Sequence, residues 1–199
     1  MNDRKPLALT EEITEKDLCA QEEHLLHCRS VRPKLQPLSP CAQRRITRYT
    51  QELTHRWEHA CTGWLLTRAA EAARLAHSNA LPFVPLESTL TGETTYLDDR
   101  FWSILWRWQV TWQGEPVSLR QWGLVWDVET GLLCPLVSFL PAGRSAQRQA
   151  LRQLHQAGWR PKRGWFILSE TELVCGWTKL ANPANEGDFF TLSLPLSPS

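Results

Sequence analysis

The sequence predicts an α+β fold, a long amphipathic helix packed on a twisted antiparallel sheet with a second, shorter helix inserted between strands. Three observations carry that expectation. After Ser39-Pro40 the chain stays helix-compatible to about Ser78; from Phe101 to Trp112 its even positions are all apolar; and from Ser145 to about Ala157 a second helical pattern stops at Gly158. Composition agrees. The 199 residues carry 22 Lys+Arg against 21 Asp+Glu, a net charge of +1, with 42% hydrophobic residues. That is one domain or two very small ones, too apolar and too balanced in charge for wholesale disorder. A whole-protein field able to capture nucleic acid or anionic membrane is absent, although a local patch can still act. What stands out is 11 Trp against two Tyr and one Met.

Residues 1–23, rich in Glu11, Glu12, Glu15, Asp17, Glu22 and Glu23, read as a mobile polar tail, and residues 24–199 as a single domain. His24 to Arg32 suits one strand that stops at Pro33, and the three prolines between Pro33 and Pro40 after it demand an extended connection. Ser39 then caps a helix with Pro40 at its first position. Ile46, Tyr49, Leu53, Trp57, Ala60 and Trp64 recur at steps of three and four, one apolar stripe, with Gly63 as a weak point. If straight, this helix would be about 55 Å long, so one end projects or bends. Leu81-Pro82 ends it.

In the next part, Trp102, Ile104, Trp106, Trp108, Val110 and Trp112 share one face, and Ser103, Arg107, Gln109 and Thr111 the other. Alternation this clean predicts a half-buried antiparallel strand. Gln113-Gly114-Glu115-Pro116 turns the chain, Val117 to Val128 alternates again, and Asp127 to Gly131 closes a second hairpin before the apolar stretch Leu132 to Leu140. Ser145 caps the second helix, and Trp165–Leu168, Leu173–Trp177 and Phe189–Leu196 supply the last strands. Cys19, Cys28, Cys41, Cys61, Cys134 and Cys175 lie far apart without a CxxC pair, which fits reduced, mostly packed thiols.

Three patterns bear on chemistry. The indoles of Trp112, Trp122, Trp159 and Trp177, near strand ends or turns, are candidate ligand-binding residues, while the rest of the stripe suits a core under the helix. Arg144, Arg148, Arg152, Arg160, Lys162 and Arg163 form a candidate basic patch, with no acidic residue between Pro141 and Arg163, able to hold phosphate or an acidic partner. His55, Glu58 and His59 match H-x-x-E-H, in which two histidines one turn apart share a zinc ion and Glu acts as base, with Glu129 as a third ligand. A solvated helix face explains the same pentad, and the zinc hydrolase it implies is kept as the alternative reading. G-x-S-x-G, P-loop and G-x-G-x-x-G motifs are absent.

The second half carries a resemblance. Tyr96-Leu97-Asp98-Asp99-Arg100-Phe101-Trp102-Ser103, Gly123-Leu124-Val125-Trp126-Asp127-Val128-Glu129-Thr130-Gly131, Trp165-Phe166-Ile167-Leu168 and the ending through Leu194-Pro195-Leu196 resemble the C-terminal domain family of the lysozyme-sensing anti-sigma factor RsiV. A similar module accompanies some peptidoglycan deacetylases. Upstream, Val31-Arg32-Pro33 and Ile46-Thr47-Arg48-Tyr49 are similar to that family's strand, proline and helix order. Gln113-Gly114-Glu115-Pro116 departs from its usual hairpin loop, and the anti-sigma factor's membrane helix is missing, so sensing and sigma-factor control are not implied. What the resemblance implies is a non-catalytic bacterial recognition module, envelope- or sporulation-linked. The expectation is therefore a binding or scaffold module without cofactor, a monomer or weak homodimer, meeting a protein or glycan through hairpin loops and sheet edge. Nucleic acid is the less favoured partner, through the basic helix. With no signal peptide or membrane span read in the sequence, the expected location is cytoplasmic or spore-associated.

Overall fold

The computed structural model describes residues 6–20, 22–161, 164–178 and 189–195. β1 (Ala8–Ala20) and β2 (Glu23–Gln36) form a long antiparallel hairpin. α1 (Pro40–Ala60), a π-helical turn (Cys61–Leu65) and α2 (Leu66–Ser78) lead to β3 (Leu86–Leu97), and β4 (Phe101–Trp112) and β5 (Glu115–Asp127) complete a five-stranded sheet in chain order. A 3-10 turn (Leu136–Phe139) and α3 (Arg144–Ala157) precede a second sheet of β6 (Gly164–Leu168), β7 (Glu172–Thr178) and β8 (Phe189–Pro195). The α+β class is the one expected, with one correction. β2 and β3 run parallel, because the long helix between them serves as the crossover that a parallel pair requires. The first sheet is therefore mixed.

The helix starts where the sequence places it. The Ser39 hydroxyl accepts from the Ala42 N–H at 3.2 Å and donates to the Glu129 carbonyl at 3.0 Å, tying the cap to the loop after β5. At Gly63 the backbone leaves helical geometry (φ −96°, ψ −109°), and the helix kinks through its π-turn. One extra residue in that turn shifts the buried register. Ile46 and Trp57 are buried as expected, but the stripe continues through Cys61, Leu65, Ala69 and Ala73 rather than through Trp64.

Residues 8–20, expected in a mobile tail, are an edge strand. Their side chains are almost all exposed, so no hydrophobic period announces them; the strand is held by main-chain pairing and by cross-strand ion pairs such as Glu12 with Arg32 (3.1 Å) and Lys34 (2.9 Å) and Glu15 with Arg29 (3.2 Å). Pro33 does not stop β2, which runs on to Gln36, so the expected connection shrinks to Pro37–Ser39. The β2–β3 ladder ends at Val31, and the Pro33 ring lies against Gly92 of β3, where no side chain opposes it.

β4 is not half-buried. Its even face carries Trp102, Ile104, Trp106 and Val110 into the core beneath the helix, but Ser103 and Leu105 on the odd face are buried as well. The second sheet covers them: Leu105 packs with Trp165 and Ile167, and the Ser103 hydroxyl accepts from the Leu168 N–H at 2.9 Å. A second core under α3 joins Val125, Phe139, Leu140, Leu154, Leu173 and Cys175. Leu132–Leu140, the apolar stretch after the hairpin, contributes one bridge to Trp126 and then the 3-10 turn. α3 begins after Gly143, with no side-chain cap from Ser145, and ends at Gly158 as expected.

Candidate functional site

The shifted helical register has a surface consequence. Trp64, assigned to the core by its spacing, is 46% exposed beside the turn end of the β4–β5 hairpin. That hairpin turns on Gln113-Gly114, both at positive φ (53° and 82°), the two-residue turn whose twist matches its strands. It holds Trp112, 40% exposed, and Val117, 53% exposed, facing α2. The Trp112 indole N–H donates to the Val84 carbonyl at 3.1 Å, which fixes the ring.

Two adjoining hollows of about 580 and 490 Å³ share Arg68, Ala72 and Trp112 as their common wall. The first opens toward Leu75, Leu81 and Pro82; the second toward Trp64, Val117 and Arg120. Behind them the aromatic rings and guanidinium groups are layered. Arg68 lies 5.8 Å from the Trp64 ring, Trp64 stands 6.3 Å from Trp108, and Arg120 sits 5.3 Å from the Trp108 ring. Trp108 is in turn tied inward, its N–H donating to the buried Ser88 hydroxyl at 3.1 Å. The result is a preformed groove of mixed polar and apolar lining, with two indoles and two arginines on its walls, the residue types that dominate binding energy at protein interfaces.

Of the four tryptophans singled out by sequence, Trp112 alone lies on this groove. Trp122 is half-buried and stacked on Trp106 at 6.5 Å, and Trp159 and Trp177, expected near exposed turns, are buried in the second core. Trp159 donates to the Trp165 carbonyl at 3.4 Å instead of facing solvent. Sequence reasoning missed Trp64, Arg68, Val117 and Arg120 as groove residues; Gly63 interrupting the helix next to a Trp was the only signal.

The basic residues divide. Arg144, Arg148 and Arg152 stand exposed in a row on α3, whereas Arg160 bonds the carbonyls of His155 (2.7 Å) and Trp159 (2.8 Å) and closes the helix end. Lys162 and Arg163 lie outside the described residues. His55, Glu58 and His59 are exposed on α1. Glu129, the third ligand offered for them, sits at the Ser39 end of the same helix, about 24 Å away along its axis. The H-x-x-E-H pentad thus has no third donor from Glu129. Among the described residues, the group of three metal-capable side chains that converges within 4.8 Å is Asp17, His24 and His27, which the sequence did not single out.

The fold defines an α+β domain of two packed sheets with one long kinked helix on the first. No family model matches the chain, and no curated protein matches it. Among solved structures, a member of the DUF3298 family from Bacteroides fragilis NCTC 9343 is similar over 95% of this chain and 90% of its own, with a TM-score of 0.56 at 9% identity. A DUF3298 family protein from Pseudomonas aeruginosa PAO1 covers 98% of this chain and 92% of its own, with a TM-score of 0.49 at 13% identity. At such identities the first likeness is one of fold. Among the described residues no helix is long and apolar enough to cross a membrane.

Proposed function

We propose that the protein is a non-catalytic bacterial recognition module whose groove between α2 and the β4–β5 hairpin docks an apolar segment of a partner protein. One observation carries this reading: Trp64, Leu75, Leu81, Trp112 and Val117 are large apolar side chains, all exposed, gathered around two connected hollows with Arg68 on both. Scattered exposed apolar residues are ordinary, whereas a contiguous set on a rigid concave surface is the mark of an interaction site. The aliphatic share of the lining favours a peptide over a sugar, which would prefer bare indole faces ringed by polar groups. The RsiV-like resemblance supports a recognition module in general, and the DUF3298 neighbour supports the fold alone; an envelope- or spore-linked role is the finer form of the same proposal.

Panning a displayed peptide library against the wild-type chain, with counter-selection on Trp112→Ala/Arg68→Ala, tests it. Enriched peptides should bind wild type at least about tenfold tighter than the double variant, the loss of about 1.4 kcal/mol expected of a groove anchor. Binding of peptidoglycan fragments, lost in the same variant, would move the groove to the glycan reading. Ligands indifferent to both substitutions would remove the groove from the function.

A further inference from the structure

The β1–β2 hairpin carries a second arrangement, independent of the groove. In its register Leu18 faces Leu26 and Cys19 faces His24, leaving Leu25 as one extra residue on β2. This is a β-bulge, and it re-aims the side chains around it. Leu25 and Leu26, adjacent in sequence, both enter the core beneath the helix (2% and 0% exposed). His24 and His27 flank that pair and so emerge together on the opposite face. In a regular strand, residues three apart would point to opposite faces. Asp17, directly across from His27 on β1, completes the group.

Three donor atoms converge there. His27 Nδ1 lies 2.7 Å and His24 Nε2 3.2 Å from the same Asp17 oxygen, and all three atoms lie within 4.8 Å of one another. The imidazoles stand at 86° with centroids 6.5 Å apart, so neither ring stacks on the other. His24 Nε2 is itself shielded from solvent and makes no hydrogen bond of good geometry. Around a tetrahedral zinc with bonds of 2.0–2.1 Å, ligand atoms stand about 3.3 Å apart, against 3.2 and 2.7 Å from the Asp17 oxygen to the His24 and His27 nitrogens. Two imidazole nitrogens and one carboxylate suit a borderline cation such as Zn2+, and are too few and too nitrogen-rich for Ca2+ or Mg2+.

We propose that Asp17, His24 and His27 form a three-ligand site for a zinc-type divalent cation on the bulged hairpin, with one coordination position open to water or to a donor from outside the chain. The bulge is the device that builds it. The cation would clamp β1 to β2 near the hairpin turn, beside Leu18, the one β1 side chain buried in the core.

The test is calorimetric titration of the chelator-stripped full chain with zinc chloride. A Cys19→Ser/Cys41→Ser background removes the two exposed thiols, which take up zinc on their own. One equivalent should bind. His24→Ala and His27→Gln should each weaken binding at least about tenfold, since even a residue that merely orients a ligand is commonly worth that much. Zinc should raise the melting temperature of the parent more than that of the variants at the same concentration, and His55→Ala/His59→Ala should bind as the parent does. Circular dichroism checks that each variant is folded, and His27→Gln keeps the side-chain volume should His24→Ala fail to fold. An absence of zinc binding, affinity in the His24 and His27 variants unchanged from the parent, or a loss confined to His55→Ala/His59→Ala would overturn the site. None of these outcomes bears on peptide docking at Trp112.

Discussion

Ser88 shows how much one polar atom can organise. Fully buried on β3, its hydroxyl accepts from the Trp57 indole at 3.0 Å and from the Trp108 indole at 3.1 Å, joining helix and sheet through one oxygen. A third polar neighbour, the Cys61 sulfur at the π-turn, lies 3.4 Å from the same oxygen. Ser88→Ala should therefore cost about 1–3 kcal/mol, the penalty of stranding a buried indole N–H, read as a lower urea midpoint at unchanged slope. It should also loosen Trp108, and with it the back of the groove. An unchanged midpoint would mean that water serves the indoles as well as Ser88 does. The sequence offers no hint of this role, because a serine between charged and β-branched neighbours reads as a solvent-facing strand position. Trp64 is misread for the opposite reason: its spacing is correct for an ideal helix, and the helix is not ideal there.

At the scale of elements, what was legible was whatever carries a regular apolar period or a clear end signal. α1 with its cap, the β4–β5 hairpin and α3 all follow from apolar periods and end signals, and all stand within a few residues of expectation. β1 and β3 escape, β1 because both its faces are largely solvated and β3 because it is rich in threonine and polar residues. The union of the two sheets escapes as well. Gly123 on β5 is where β6 crosses closely; a Cβ there would stand 2.2 Å from the Phe166 carbonyl oxygen, inside any allowed contact. Gly123→Ala should thus destabilise by about 1–3 kcal/mol through overpacking, measurable by chemical denaturation. A neutral result would show that the second sheet can slide on the first.

At the scale of the whole molecule, charge is nearly balanced, and the electrostatics that matter are local. Hydrogen bonding to Lys34, set against a small cost of burial and helped by Arg32, holds the Glu12 carboxyl below its usual 4.5. Burial pushes Asp127 up, but bonds from the Thr130 N–H and hydroxyl, with the Glu129 N–H and Arg100, outweigh it and leave that carboxyl below its usual 3.8. A carboxylate whose pKa is lower folded than unfolded adds stability that is complete above the unfolded value and is lost as pH falls through the folded one. The melting temperature should stay nearly flat from about pH 7 to 5 and fall below about pH 4, with a shallower fall in Glu12→Gln/Asp127→Asn. Both groups are partly open to solvent, so the difference will be modest; parallel curves would mean that these pairs add nothing.

The sequence by itself determined the α+β class, the span and start of the long helix, the hairpin turning within Gln113-Gly114-Glu115-Pro116 and the glycine stop of α3. These depend on local chemistry: a cap that reaches three residues along, an apolar period of two or of 3.6, a backbone at positive φ. Only the tertiary structure decided that β2 and β3 run parallel, that β4 is covered on both faces, which tryptophans reach the surface, and that Asp17, His24 and His27 meet. Each of these is settled by what packs against an element from elsewhere in the chain. A π-turn or a bulge moves every later side chain by one position, and a periodic pattern carries no mark of the residue at which the register slips.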